Sequence, residues 1–563
     1  MSSYADGVPA DIEVPTGSLV DIVEESAKRY PDNVALEFFG ATTSYASLAD
    51  QIARAAEGLR ILGVQKGDPV AIVLPNAPQH IVAFYAVLRL GAIVIEHNPL
   101  YTPRELRHQF EDHGARVVIA WDKVIDTIQD FPSDVIPETI ISIDITRGMP
   151  LRTRLALTLP IARARESRDA LTTRVRGTLD WYKLVANEPI KPAIIRPEGA
   201  DVALIQYTSG TTGQPKGATL THENLGANAA QARAWVPQVK RGTAVVYAVL
   251  PMFHAYGLTL CLTFAMSMGA RLVLFPKFDP DLVLPVIKKR PATFLPAVPP
   301  IYDRLTKAAA EKGISLAGIE ISISGAMPLS KAVVEPWEKA TGGTLVEGYG
   351  LSETSPVLMA NPVSTGRRAG TVGLPMPSTE VRIVDPENPT QDVAAGEPGE
   401  LIVRGPQVMS GYWKKPEETA QVFVEADDDG KPWFRTGDIV SMDADGFISI
   451  VDRIKELIIT GGFNVSPTEV EDCLREVDGI ADVAVVGLPS ERSGEDVVAA
   501  VVLTPGASLD EAALTKHARA ALTPYKVPRR FVVVEELPKS LIGKTLRKNV
   551  RDDLLGLDAP VDD

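Results

Sequence analysis

Gln206-Tyr-Thr-Ser-Gly-Thr-Thr-Gly-Gln-Pro-Lys-Gly217 follows the apolar run Val202-Ala-Leu-Ile205 and precedes a helix-like segment. Seven of the ten residues from Thr208 to Gly217 are Gly, Ser or Thr, and Lys216 adds a cation. Glycines let backbone amides approach a polyphosphate, while hydroxyls and an ammonium supply further donors. The spacing is not that of the common P-loop, which needs Gly, four residues, then Gly-Lys-Ser/Thr. Pro215 and Gly217 break that pattern, which disfavours a kinase or GTPase. The competing reading is a plain flexible loop; the setting between strand and helix, together with Lys216, weighs against it.

Outward from the loop, apolar strand-like runs alternate with helical segments. Pro69-Val-Ala-Ile-Val-Leu74, the helix-like Gln79 to Arg89 and Ala92-Ile-Val-Ile95 are one such unit. This order predicts an α/β fold, with parallel or mixed sheets covered by helices in a large N-terminal domain. After about Asp452 the pattern shortens to α+β, with strands at Val483-Ala-Val-Val486, Val497 to Leu503 and Phe531-Val-Val-Val534. At 563 residues and 45% hydrophobic, the chain is too long for one ordinary domain.

A net charge of −15 argues against a general nucleic-acid binder, which needs basic surface to displace phosphate counterions. Cys261 and Cys473 make neither a disulfide framework nor a metal-ligand set. The start, Met1-Ser-Ser-Tyr-Ala-Asp, lacks the basic and apolar regions of a secretory signal, so a cytoplasmic setting is expected. Thr243 to Ala270 carries no Asp, Glu, Lys or Arg and is long enough to cross a bilayer. Pro251, His254, Gly257 and Gly269 interrupt it, and it reads as a buried strand, a loop and a helix. From Arg147 to Lys183 nine basic residues face three acidic ones. Interleaved with Leu151, Leu155, Leu157, Leu159 and Ile161, they could seat a segment peripherally on the inner face of an anionic membrane. The bland reading, a solvated helical insertion, is favoured on sequence alone.

The 206–217 loop resembles the signature of the adenylate-forming (AMP-binding) superfamily, in its acyl-CoA synthetase branch. Other motifs match in the same order: Ser324-Gly-Ala-Met-Pro328, Glu347-Gly-Tyr-Gly-Leu-Ser-Glu-Thr354, and Tyr412 with Pro416, Glu417 and Thr419. They continue with Trp433-Phe-Arg-Thr-Gly-Asp438, Val451-Asp-Arg-Ile-Lys455 and Pro538-Lys-Ser-Leu-Ile-Gly-Lys544. The resemblance implies a nucleotide-binding domain over 1–451 with a β-barrel-like subdomain, a hinge at 452–455 and a mobile lid over 456–563. It also implies that a carboxylate attacks the α-phosphorus of ATP, expels pyrophosphate, and passes its acyl group to coenzyme A.

Residue roles follow from the same resemblance. Thr208, Ser209, Gly210, Thr211, Thr212, Gly213 and Lys216 would cradle the phosphates. Glu353 and Thr208 would hold Mg²⁺, a hard cation that takes few carboxylates. Gly325, Ala326, Glu347, Gly348, Tyr349, Gly350 and Ser352 would surround adenine, and Asp438 would accept the ribose hydroxyls, with Arg453 and Lys455 beside it. Lys544 is the expected catalytic cation, with Glu353 and Lys216 as its partners in charge stabilisation. Asp427-Asp-Asp-Gly430 and Asp443-Ala-Asp-Gly446 read as turns because neither has Gly at the sixth calcium-loop position.

Thiolation would use Gly461, Gly462 and Phe463 beside the pantetheine tunnel, although Ile459 stands where some relatives carry a basic residue. His254, Tyr256, Tyr302 and Gly325 would line an apolar acyl pocket, His254 as a packed or gating group. With no charged group there to grip an amino acid, a fatty acid is the expected substrate, most like the bacterial long-chain enzymes. An aryl acid, a carrier protein in place of coenzyme A, and a catalytically silent scaffold remain alternatives. A homodimer is compatible with everything above.

Overall fold

The computed structural model describes residues 4–194, 196–208, 215–424, 430–453, 456–460, 463–490, 494–522, 524–540 and 543–557. The expected phosphate-loop residues Ser209 to Gly213, the hinge residue Lys455, and Gly461 and Gly462 lie outside the described residues. Two compact units make up the chain: Met1–Glu380 with Arg404–Gln421, and Val381–Val403 with Val422–Asp563.

The first unit holds two sheets. One has eight strands in the order Gly411–Tyr412, Lys216–Thr221, Val202–Thr208, Ile93–Glu96, Pro69–Val73, Val117–Trp121, Thr139–Ile143 and Leu179–Asp180. From Val202–Thr208 to Leu179–Asp180 all neighbours run parallel. Parallel strands are covered on both faces, which is why Val70 to Val73 and Val94 to Ile95 read as unbroken apolar runs and are fully buried. The helix Pro78–Arg89 opens on Pro78, whose missing amide costs nothing in a first turn, and every residue from Gln79 to Arg89 is buried.

The second sheet has nine strands, from Leu374–Pro375 through Val357–Ala360, Thr344–Gly350, Ile321–Ser324, Phe294–Ala297, Val245–Ala248, Arg271–Leu274 and Val34–Phe38 to Ala41–Ser44. The uncharged run 243–270 is a strand at Val245–Ala248, a loop, and a helical stretch from Ala255 to Met268, all in the core. Among the described residues no helix is long and apolar enough to cross a membrane.

The strand Lys216–Thr221 corrects the sequence reading. The loop does not pass directly to a helix; it joins two antiparallel strands, and the helix His222–Trp235 begins only afterwards. Lys-Gly-Ala-Thr-Leu-Thr alternates too weakly to announce a strand.

The second unit contains a five-stranded sheet built on Gly399–Arg404, Trp433–Met442 and Ile448–Arg453, in the place of the expected barrel-like subdomain. A further five-stranded sheet centres on the antiparallel pair Ile480–Ser490 and Gly494–Leu503, with Arg530–Val533 added in parallel. Its core joins Val483, Val485, Val497, Ala499 and Val501 to Val470, Leu474, Leu514 and Ala518 of two covering helices. Asp443 forms a turn: its Oδ1 accepts the amides of Asp445 at 2.9 Å and Phe447 at 3.0 Å.

Candidate active site

In the first unit the strands bracketing the expected phosphate loop fix its two ends. Thr208 pairs with Lys216, and Tyr207 with Gly217. Gly217 is there for space: a Cβ would stand 2.5 Å from Ile205 Cγ2. Its carbonyl accepts the Trp413 amide at 2.8 Å, which draws the short strand Gly411–Tyr412 against Lys216–Thr221, with Tyr412 opposite Ala218.

That pairing assembles a cluster from three distant motifs. The Lys216 ammonium lies 5.2 Å from the centroid of the Tyr412 ring. Tyr412 Oη donates to Glu353 Oε1 at 2.9 Å. The Met409 amide donates to the Glu353 carbonyl at 2.7 Å, holding the short turn Ser352–Thr354 against the segment that leads into the strand Gly411–Tyr412. Burial, then the neighbouring Glu353 charge, pushes the Tyr412 phenol well above its ordinary range, so it keeps the proton that it donates to Glu353. Thr419 Oγ1 accepts the Tyr412 amide at 2.9 Å, which explains the spacing of that motif. Lys216, Tyr412 and Glu353 thus meet next to Thr208, the register partner of Lys216. One carboxylate with a nearby hydroxyl is a donor set that suits Mg²⁺ carried on phosphate oxygens and water.

The expected adenine segments also converge. Ser324 pairs with Glu347, so Gly325 and Gly348 are the next residues after the last register pair of the two strands. Tyr349 is in turn opposite Met359, and Gly350 opposite Val357. Ala326 is left-handed at φ 66°, turning the chain sharply away from the strand end. The Glu347 carboxyl is pushed up to about 7 by burial, partly offset by the Leu329 amide.

At the expected acyl pocket, Tyr256 Oη donates to the Ile323 carbonyl at 2.7 Å and its ring lies against Gly325. His254 Nδ1 accepts the Tyr256 amide at 3.4 Å, which caps the short helix Ala255–Gly257. Burial pushes its imidazole down to about 4, so it is neutral at physiological pH and serves as a packing and capping group. Tyr302 is fully buried, edge-on to Trp337 with centroids 4.8 Å apart, and its hydroxyl reaches the Leu295 carbonyl at 2.8 Å. It therefore packs beneath Tyr256 as part of the core.

Sequence reasoning missed Gln206 and Glu96. They are register partners on adjacent parallel strands, both buried. Gln206 Nε2 donates to the Phe253 carbonyl at 3.0 Å, anchoring the segment that carries His254. Glu96 Oε1 meets His80 Nε2 at 2.8 Å, and burial raises the Glu96 carboxyl. No short-range spacing relates residues 96, 206 and 253; only strand order does.

In the second unit Asp438 is 1% exposed on the strand Trp433–Met442, and its amide donates to Thr436 Oγ1 at 3.1 Å. Its backbone register partner is Arg453, the other expected ribose residue. Asp452, the first expected hinge residue, is buried; it accepts the Thr468 amide at 3.2 Å and the Ser466 hydroxyl, tying the strand end to the helix Pro467–Arg475. Phe463 opens a strand paired with Ile458–Thr460, on which Ile459 is 56% exposed. Lys544 closes a tight turn: Ser540 Oγ accepts its amide at 3.1 Å, and its carbonyl accepts the Ser540 amide at 2.7 Å. Gly543, at φ 81°, is the left-handed residue that this turn requires.

The AMP-binding enzyme model matches residues 23–413, and the AMP-binding enzyme C-terminal domain model matches 469–544. This chain belongs to the AMP-binding enzyme family. The first spans the 206–217, 324–328 and 347–354 motifs, and the second ends at Lys544. Among relatives of this AMP-binding enzyme is a long-chain-fatty-acid–CoA ligase of Bacillus subtilis (strain 168), 39% identical over 98% of this chain and 97% of that protein. A 4-coumarate–CoA ligase-like protein of Oryza sativa subsp. japonica is 32% identical over 97% of this chain and 94% of that one. Among solved structures, ATP-bound MatB from Rhodopseudomonas palustris superposes with a TM-score of 0.82, at 30% identity, over 97% of this chain and all of that one.

Proposed function

We propose that this AMP-binding enzyme is an ATP-dependent fatty acid:CoA ligase, forming an acyl-adenylate and pyrophosphate and then acyl-CoA and AMP. The observation that carries the reading is the Lys216–Tyr412–Glu353 cluster at the phosphate loop. An ammonium and a carboxylate, bridged by one phenol, offer the two signs of charge that a polyphosphate and its cation need, which supports the reading. The near full-length likeness to a long-chain-fatty-acid–CoA ligase supports the substrate class.

Lys216 and the amides of the loop bind the phosphates, while Glu353 and Thr208 would hold Mg²⁺, which supplies charge neutralisation at the phosphate oxygens. Tyr412 keeps the Glu353 carboxylate oriented by donating its hydrogen. Glu347 and Tyr349 receive adenine, Asp438 and Arg453 receive the ribose, and Lys455 completes that group. Lys544 approaches the α-phosphorus during adenylation, and the segment 461–463 serves the thiol step after the lid turns about 452–455. The apolar residues around Tyr256 and Gly325 take the acyl chain.

Mass detection of palmitoyl-CoA from palmitate, ATP and coenzyme A tests the reading. Acyl-adenylate without acyl-CoA would favour a carrier-protein ligase instead.

A further inference from the structure

Between the strands Thr139–Ile143 and Leu179–Asp180, at the edge of the eight-stranded sheet, the chain makes two helices, Leu151–Leu157 and Ala162–Leu171. No residue of the first helix is buried. Leu151, Leu155, Leu159 and Ile161 are 67%, 59%, 51% and 54% exposed, four large apolar side chains within eleven residues. Leu151 and Leu155 are one helical turn apart, so they share a face. Scattered exposed leucines are ordinary on a protein surface; a contiguous row on one short excursion is not.

Arginines are interleaved with this row in sequence and follow it. Arg152, Arg154, Arg163, Arg165, Arg174 and Arg176 make no ion pair among the described residues. They supply most of a local excess of nine basic over three acidic residues from 147 to 183, in a chain of net charge −15. A surface that is basic against that background selects an anionic partner.

The base of the excursion is anchored while its tip is not. Trp121 Nε1 donates to the Leu171 carbonyl at 2.8 Å, Lys123 Nζ to the Asp169 carbonyl at 2.6 Å, and Gln129 Nε2 to the Arg176 carbonyl at 2.9 Å. The Thr173 amide donates to Asp122 Oδ2 at 3.1 Å, and Ala164 is the buried contact of the second helix. Firm attachment at the base of an exposed apolar segment with arginines before and after it in sequence suits shallow insertion between lipid headgroups.

The geometry points to residues 151–176 as a peripheral docking surface for an anionic phospholipid bilayer, with Leu151, Leu155, Leu159 and Ile161 entering the interface and the unpaired arginines on the headgroups. Apolar burial and attraction to anionic lipid act together in such contacts, so loss of either weakens binding. The inference stands apart from the identity of the acid substrate.

Flotation of the full chain with vesicles of phosphatidylcholine alone, or with 30% phosphatidylglycerol (roughly the charge density that polybasic surfaces respond to), tests it. Binding should be at least about tenfold stronger to the anionic vesicles and should weaken as salt rises. The L151S/L155S/L159S/I161S variant should lose about tenfold of that binding, and R152Q/R154Q/R163Q/R165Q a similar amount, while both turn over octanoate in solution like the parent. Equal partition of the parent to both vesicle types, or full binding by either variant, overturns the proposal. So does a parent that is dimeric in gel filtration while the serine variant is monomeric, since the patch would then be covered by a second copy.

Discussion

Lys544 and Glu347 carry the most specific expectations for single side chains. If Lys544 meets charge only as the α-phosphorus is attacked, Lys544→Ala should slow adenylation by about 10²- to 10³-fold, the scale of a lost preorganised contact. Transfer from pre-made acyl-adenylate to coenzyme A should stay within a few-fold of the parent; equal losses in the two half-reactions would remove the assignment. Glu347 behaves differently because burial pushes its carboxyl up to about 7. Below that pH it is protonated, and above it is ionised and able to accept from the exocyclic amine of adenine. The KM for ATP should therefore fall as pH rises from 6 to 8 (roughly one unit on each side of the midpoint), and Glu347→Gln should flatten that dependence. An unchanged slope in the variant would place Glu347 away from the base. His254 shows what residue type alone does not convey: its environment holds it neutral, with its ring nitrogen spent on the Tyr256 amide.

Among the elements, the loop's own strands matter as much as the loop. Gly217 lets the strand Lys216–Thr221 lie against Ile205 and presents the carbonyl that holds Trp413, and through it Tyr412. Gly217→Ala forces a methyl into that contact. It should cost about 1–3 kcal/mol, the usual penalty of overpacking, read as a lower midpoint in denaturant unfolding, together with a higher KM for ATP. A variant as stable as the parent would show that Ile205 yields easily. The parallel strands were legible because two-sided burial leaves continuous Val and Ile runs, as at Val70 to Val73. Lys216–Thr221 was not, because a partly polar strand next to a glycine-rich loop lacks both alternation and an apolar run. Motif residues such as Glu353 and Asp438 were found by resemblance, whereas the Tyr412 bridge and the Glu96–Gln206 pair depend on strand order. No local pattern encodes that order.

At the scale of the whole molecule, the chain divides into a unit that bears the phosphate loop and Glu353 and a unit that bears Asp438 and Lys544. The expected boundary at 452–455 lies within the second of these, where Asp452 is tied to the start of the helix Pro467–Arg475. Two half-reactions with different requirements are compatible with such a division, one needing Lys544 at phosphorus and the other an open path for a thiol. We propose that this machinery activates fatty acids for coenzyme A. The most direct measurement is coenzyme A-dependent AMP formation across saturated fatty acids of graded length, benzoates and cinnamates. For a fatty acid ligase kcat/KM should rise with chain length and palmitate should saturate the enzyme at low concentration; a clear preference for cinnamates or benzoates would rule out a fatty acid as the substrate.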